Sequence, residues 1–288
     1  MLTIIPKNKS VDQLQNFLQS AIAPRPIALA STVDMNGNPN VSPFSFFNIF
    51  STNPPILIFS PARRVRNNTT KHTLENILAT KEVVINVVNY DIVQQTSLAS
   101  TEYPEGVNEF IKAGFKMLKS TMVKPFRVAE SPVQFECRVN EVIPLGKDGG
   151  AGNLVIAEIL CMHIDEACLD ENGNIDQQKL DLVARAGGNY YSRAKEGFFS
   201  IPKPIQTMGI GIDQLPENVR KSIILSGNDL ALLGNAAQLP DIAAVNKFLK
   251  ENPEFIGLNL IEKHIFAKEL IKKNDVLGAL KALFVKDI

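Results

Sequence analysis

The chain has 288 residues, 45% hydrophobic and 21% charged, enough for one large domain plus an appendage, or for two small ones, with ample core material. Lys plus Arg equals Asp plus Glu at 30 each, and a formal net charge of zero argues against a protein that lives on nucleic acid, which is normally basic in excess. No stretch approaches the roughly 20 apolar residues of a membrane helix, and the N-terminus lacks a signal-peptide run, so a cytoplasmic protein is expected.

In chain order, "IALASTV" (27–33) reads as a strand, and Asn36-Gly37 within "DMNGNP" is a strong hairpin turn signal. The return strand is "NVSPFSFFNIF" (40–50), where Pro43 cannot donate to a ladder and implies an edge or a bulge. After "TNPP" comes a short apolar strand, "ILIF" (56–59). "ARRVRNNTTKHTLENILAT" is then a basic loop running into a helix whose apolar positions are Leu74, Ile77 and Leu78. "EVVINVV" (82–88) follows as a buried strand broken only by Asn86, and 91–119 is helical and loopy, with "DIVQQTSLAS" and "VNEFIKAGF" as candidate helices. Two longer strands, "VQFECRVNEVIPL" and "NLVIAEILCMHID", are joined by "GKDGGAG"; "DENGNID" is a third turn, and "QQKLDLVARA" a short helix ending at Gly187-Gly188. Strands dominate from 27 to 166, so the core reads as an antiparallel barrel with a few helices.

From about residue 200 the texture changes. A Pro- and Gly-rich stretch, "IPKPIQTMGIGIDQLPENV", precedes four helical segments: "NDLALLGNAAQ", "DIAAVNKFLK", "IEKHIFAKELIKK" and "VLGALKALF". The expected division is 1–196 for the barrel domain and 197–288 for a helical extension.

Three cysteines, Cys137, Cys161 and Cys168, are odd in number and form no CxxC pair. A disulfide framework or a zinc site is therefore not expected, and a reducing compartment is the natural reading. "GGAGN" and "GIGID" do not complete GxGxxG, and GK[ST] and GxSxG are absent; they read as a hairpin turn and a linker. His72, His163 and His264 lie far apart with no metal-ligand spacing. His264, in a charged helical context, is expected at the surface; His163 ends a strand in "CMHID" and is expected to pack or to lie at the surface, with facing a ligand as the alternative.

Two features point toward one ligand. Arg63, Arg64, Arg66, Thr69, Thr70, Lys71 and Thr73 crowd the start of a helix, where free N–H groups and the positive end of the dipole favour a phosphate. The alternative is a solvated basic loop with Thr capping. Residues 25–62 meanwhile combine Phe rings with Ser and Asn and almost no charge, as a pocket for a flat heterocycle such as a flavin would.

Taken together, "APRPIALAST" (23–32), "GNPNVSPFSFFN" (37–48), "PPILIFSPA" (54–62), "TKHTLENI" (70–77), "EVVINVVN" (82–89), "YPEGVNEF" (103–110), "VAESPVQFECRV" (128–139), "NLVIAEI" with "HID" (153–165) and "VARAGGNYYSR" (183–193) resemble the flavin reductase-like, FMN-binding split-barrel family, over roughly 15–195. The resemblance implies a small antiparallel barrel that dimerises, with FMN near the subunit interface. By it, Ser45, Phe46, Phe47 and Asn48 line the isoalloxazine, with Ser31 and Thr32 beside it. Ser60, Lys71, His72 and Thr73 hold the ribityl phosphate. The loop with Arg185, Gly188 and Tyr190 approaches the flavin, across the dimer, and His163 stands on the nicotinamide side. The family commonly has Asp where this chain has His72, so a helix cap is expected to be weakened there, or the phosphate contact changed.

The function so implied is an FMN oxidoreductase, an NAD(P)H-dependent flavin reductase that takes hydride from NADH or NADPH. It would serve a flavin-dependent monooxygenase or another electron acceptor, with no nucleic acid or membrane as partner. The flavin carries such chemistry, which agrees with the lack of an evident acid/base pair. The rival readings are an FMN-bound, flavoredoxin-like electron carrier and a non-catalytic flavin-binding module.

Overall fold

Asn36-Gly37 turns the first hairpin as its residue types predict: Gly37 takes a left-handed φ of 86°, and Asp34 Oδ1 accepts from the amides of Asn36 and Asn38, both at 2.8 Å. The computed structural model describes residues 1–104, 106–201 and 208–285; Glu105 of "YPEGVNEF", residues 202–207 of the Pro- and Gly-rich stretch and the last three residues lie outside them. The chain divides into two compact units, Met1–Phe198 and Phe199–Ile288.

The first unit opens with α1 (Val11–Ala21) and a short β1 (Arg25–Pro26). Then come β2 (Ala28–Val33), β3 (Pro39–Phe44), β4 (Phe47–Thr52), β5 (Pro55–Phe59), α2 (His72–Thr80) and β6 (Glu82–Val87). They are followed by α3 (Val93–Leu98), α4 (Glu109–Ala113), β7 (Met117–Leu118), β8 (Arg127–Val128), β9 (Val133–Pro144) and β10 (Asn153–Ile164), and last by α5 (Gln177–Leu180), β11 (Val183–Arg185) and β12 (Tyr191–Arg193). Seven strands form one antiparallel sheet in the order β3-β2-β6-β9-β10-β5-β4. Every residue of β2 is buried, as befits a strand covered on both faces. One core packs Phe44, Phe59, Ile77, Ile85 and Val155 together, and a second lies under α3 and α4 around Leu29, Val41 and Phe110.

The expected strand 40–50 is two strands. β3 and β4 sit at opposite ends of the sheet order, separated in sequence by Ser45-Phe46 alone. A chain that leaves one edge and at once begins the other ties the two edges together at that corner. Pro43 lies on β3, an end strand, where its missing N–H removes no ladder bond needed by a further strand. The expected helix over 177–186 is also shorter. It stops at Leu180 because Asp181 turns left-handed (φ 50°), after which Val183–Arg185 pair with β1 and β12.

The second unit is helical: α6 (Glu217–Arg220), α7 (Gly227–Gly234), α8 (Ile242–Glu251), α9 (Leu260–Lys272) and α10 (Val276–Leu283). Its interior joins Leu215, Val219, Leu233 and Leu280, with Phe248, Phe255 and Phe266 in edge-to-face contact beside them. His264 is buried, not superficial: α9 turns Lys263, His264, Ala267 and Ile271 inward and leaves Ile261 and Ile265 exposed. Burial lowers the pKa of His264. Among the described residues no helix is long and apolar enough to cross a membrane, and all three cysteines are free thiols.

Candidate functional site

The corner at Ser45-Phe46 opens a cavity of about 640 Å³, within the roughly 300–1,000 Å³ of small-molecule sites. Phe44 turns into the core against Phe59, ring centroids 5.4 Å apart, while Phe46 faces outward. The Ser60 amide donates to the Phe46 carbonyl at 2.8 Å and holds β5 against the bend. Ser45, Phe46, Ser60 and Lys71 line the cavity on the barrel side, and Leu14 and Leu18 of α1 line it opposite.

Arg25 assembles this corner. It is buried, and its guanidinium donates to Ser45 Oγ at 3.4 Å, to the carbonyls of Gln19 at 2.5 Å and Ile22, and to Ala186 O at 3.3 Å. One side chain thereby ties the end of α1, the bend and the loop after β11. Gln19 lies in the last turn of α1 and Ile22 is its C-cap, so neither carbonyl has a helical partner, and a cation there also meets the negative end of the helix.

The arginines of the basic loop are already paired. Arg63 donates to Asn68, and Arg64 and Arg66 share Glu102 at 3.1 and 3.0 Å. The glycines of the β9–β10 loop let its backbone approach this loop: Gly150 N bonds Arg63 O at 2.9 Å, and a Cβ on Gly149 would meet Val65 O at 2.9 Å. Lys71, partly buried and 5.4 Å over the Phe44 ring, has no carboxylate partner among the described residues. Its pKa is pushed down, first by burial and then by Arg64. Lys71 is also the N-cap of α2 and makes no side-chain cap bond, so the first amides of α2 carry no side-chain cap. Ser60 Oγ is buried with no hydrogen-bond partner. A buried hydroxyl without an acceptor and a desolvated ammonium without an ion pair are both costly unless an acceptor or an anion joins them.

Behind α2, Thr73 Oγ1 donates to Asn40 Oδ1 at 2.8 Å, and Asn40 Nδ2 donates to Glu109 at 3.0 Å. The Glu109 carboxyl is pushed up, chiefly by burial and against its hydrogen bonds. Lys71, His72 and Thr73 border a smaller adjoining cavity with Asn40, Arg64 and Glu109.

The structure therefore brings Ser45, Phe46, Ser60 and Lys71 together, with His72 and Thr73 alongside. Ser31 and Thr32 are fully buried and already bonded, Ser31 to the Phe126 carbonyl and Thr32 to Asn76. Phe47 packs on the core, and Asn48 bonds the Ile49 amide. Gly188 (φ 57°) sits in the β11–β12 loop, with Arg185 donating to Tyr190 O at 3.1 Å and over the Tyr191 ring, and Tyr190 is exposed. His163 lies outside the cavity lining and against Glu136. Sequence reading missed α1, Arg25 and Glu102. A signal for α1 was present: Ser10 and Gln13 form a capping box, and Val11, Leu14 and Leu18 follow at helical spacing.

Residues 20–183 match the flavin reductase-like domain family. A protein of Aquifex aeolicus is 35% identical over 193 residues, spanning 67% of this chain and 96% of that one. Component B of nitrilotriacetate monooxygenase from Bacillus cereus superposes with a TM-score of 0.65 at 27% identity, covering 69% of this chain and 98% of its own. A Shewanella frigidimarina protein, described as a flavin reductase with a split barrel domain, superposes with a TM-score of 0.59 at 26% identity, covering 68% of this chain and 95% of its own.

Proposed function

The chain belongs to the flavin reductase-like family, and from that premise we propose that it is an FMN-binding oxidoreductase that draws hydride from NADH or NADPH. The observation that carries the reading is Lys71: a partly buried cation with no carboxylate partner, at an uncapped helix start, beside the orphan hydroxyl of Ser60. A phosphate dianion satisfies all three, since it restores the charge balance at Lys71, meets the helix N–H groups and accepts from Ser60. Bound FMN would supply the hydride-accepting ring, and the protein supplies binding, orientation and exclusion of water.

In this reading Phe46 and Ser45 flank the ring, with Arg25 holding Ser45 in place. Thr73 does not reach the phosphate through its hydroxyl, which Asn40 occupies; together with His72 it contributes backbone amide. Leu14 and Leu18 cover the open side. One phosphate seat favours FMN over FAD. The similarity to a monooxygenase component favours an oxygenase as the consumer of reduced flavin. Arg185, Gly188 and Tyr190 then face a second copy's site in a homodimer, which light scattering tests: a stable monomer that keeps its flavin contradicts that part.

The function is tested by releasing the cofactor with heat, identifying it by chromatography, and following NADH and NADPH oxidation by the reloaded chain. FMN in the extract and turnover that depends on it are expected. FAD alone, no flavin after reconstitution, or FMN without turnover of either nucleotide overturns it.

A further inference from the structure

β9 and β10 pair so that Cys161 stands opposite Glu136, with His163 two residues further along β10 and so on the same face of the sheet. Glu136 Oε1 lies 2.7 Å from His163 Nε2, and Cys161 Sγ lies 3.6 Å from that same nitrogen. All three donor atoms fall within 4.8 Å of one another, and among the described residues no other trio of His, Cys, Asp or Glu converges in this way.

A nucleophile relay does not suit this geometry. A histidine that takes a thiol's proton on one ring nitrogen is oriented by a carboxylate on the other, whereas here both partners face Nε2. Three donors aimed at one point suit a metal ion. We propose that Glu136, Cys161 and His163 form a three-ligand site for a zinc-class divalent ion.

Tetrahedral zinc with one sulfur and two N/O ligands sets donor atoms roughly 3.3–3.7 Å apart. Cys161 and His163 already have that spacing, and the Glu136–His163 contact need open by less than about 1 Å. The carboxylate is fixed from behind, with Oε1 accepting from the Thr121 amide at 2.8 Å and Oε2 from the Met122 amide at 2.5 Å. Such outer partners orient metal ligands. Glu136 is fully buried, while Cys161 and His163 are partly exposed, which leaves an approach for the ion and a fourth position for water. Arg127, 3.8 Å from Glu136 Oε1, opposes a cation. Its guanidinium is drawn aside by Gln134 at 2.9 Å and Lys119 O at 3.0 Å, and a carboxylate plus a thiolate supply two negative charges against it. On binding, the Cys161 thiol proton passes to solvent.

The test uses the full chain with its flavin, dialysed against micromolar zinc chloride, with retained metal measured by atomic spectroscopy. About one zinc per chain is expected for the wild type and for Cys168→Ser, and at least about tenfold weaker binding for Cys161→Ser and for His163→Gln. Zinc should also protect Cys161 from alkylation in the wild type but not in His163→Gln. Glu136 is not substituted, because its burial makes loss of the fold a rival outcome. No zinc retained by the wild type, or retention by the Cys161→Ser and His163→Gln chains equal to that of the wild type, overturns the proposal.

Discussion

At the scale of single residues, Lys71 and Ser60 carry the reading of the cavity, because Ser60 Oγ has no hydrogen-bond partner and Lys71, over the Phe44 ring, has no ion pair among the described residues. A charge-assisted hydrogen bond contributes about 1.5–3 kcal/mol, so Lys71→Ala should weaken FMN binding roughly ten- to a hundredfold. Riboflavin has no phosphate, and its affinity should hardly change. Fluorescence titration with the two ligands separates a phosphate contact from general damage, and equal losses for both would reduce Lys71 to a structural charge. The crowding of basic and hydroxyl residues before the helix was legible in the sequence. Which of them stays available was not, since that depends on Glu102, brought from 36 and 38 residues away to occupy Arg66 and Arg64. Likewise Ser31 and Thr32 read as polar groups free for a ligand, and only their tertiary neighbours, Phe126 and Asn76, show them already bonded.

At the scale of elements, α1 and the β11–β12 hairpin behave differently. α1 has no buried residue of its own, yet Leu14 and Leu18 line the cavity. Replacing both by Ala should remove about 1–2 kcal/mol of contact with the ring at roughly 25 cal/mol per Å² and weaken FMN and riboflavin alike by about tenfold. The melting temperature of the flavin-free chain should stay unchanged; a matching loss of stability would place α1 in the fold and not over the ligand. The hairpin is held instead by Asp181, whose carboxylate accepts from Arg193 at 2.6 Å and pairs with Lys195 at 2.8 Å. The Arg193 bond chiefly, with Lys195, depresses the Asp181 pKa from 3.8 to about 2. A depressed pKa stabilises the fold above the unfolded value and loses that contribution as pH falls through the folded one. Asp181→Asn, which tolerates the left-handed backbone there, should therefore melt below the wild type at neutral pH. The gap should close as pH falls from about 4 toward 2; a gap independent of pH would remove the ion pair as its cause. The long β9–β10 hairpin and α2 were legible from period and turn residues. The break at Ser45-Phe46 was not, because the apolar and aromatic pattern runs through it and the bend is imposed from outside by Arg25 and the pairing with β5. Nor was the end of α5, where a non-glycine residue takes the conformation usually reserved for Gly.

At the scale of the whole molecule, the family match covers 20–183, and the Aquifex relative spans two thirds of this chain with nearly all of its own length. The helical unit from Phe199 onward lies outside the family match and has its own aromatic interior. The burial of His264 there escaped a surface reading because α9 carries apolar residues on more than one face, and packing chose the face. The proposed activity belongs to the barrel, whose corner cavity would hold a flavin able to take hydride from a nicotinamide. The most direct measurement is the visible spectrum of the full chain, loaded with FMN and mixed without oxygen with NADH and, separately, NADPH. The flavin absorption should be lost rapidly with one nucleotide or both and return when air is admitted. A bound flavin that keeps its spectrum with either nucleotide, yet is bleached by a chemical reductant, would contradict it.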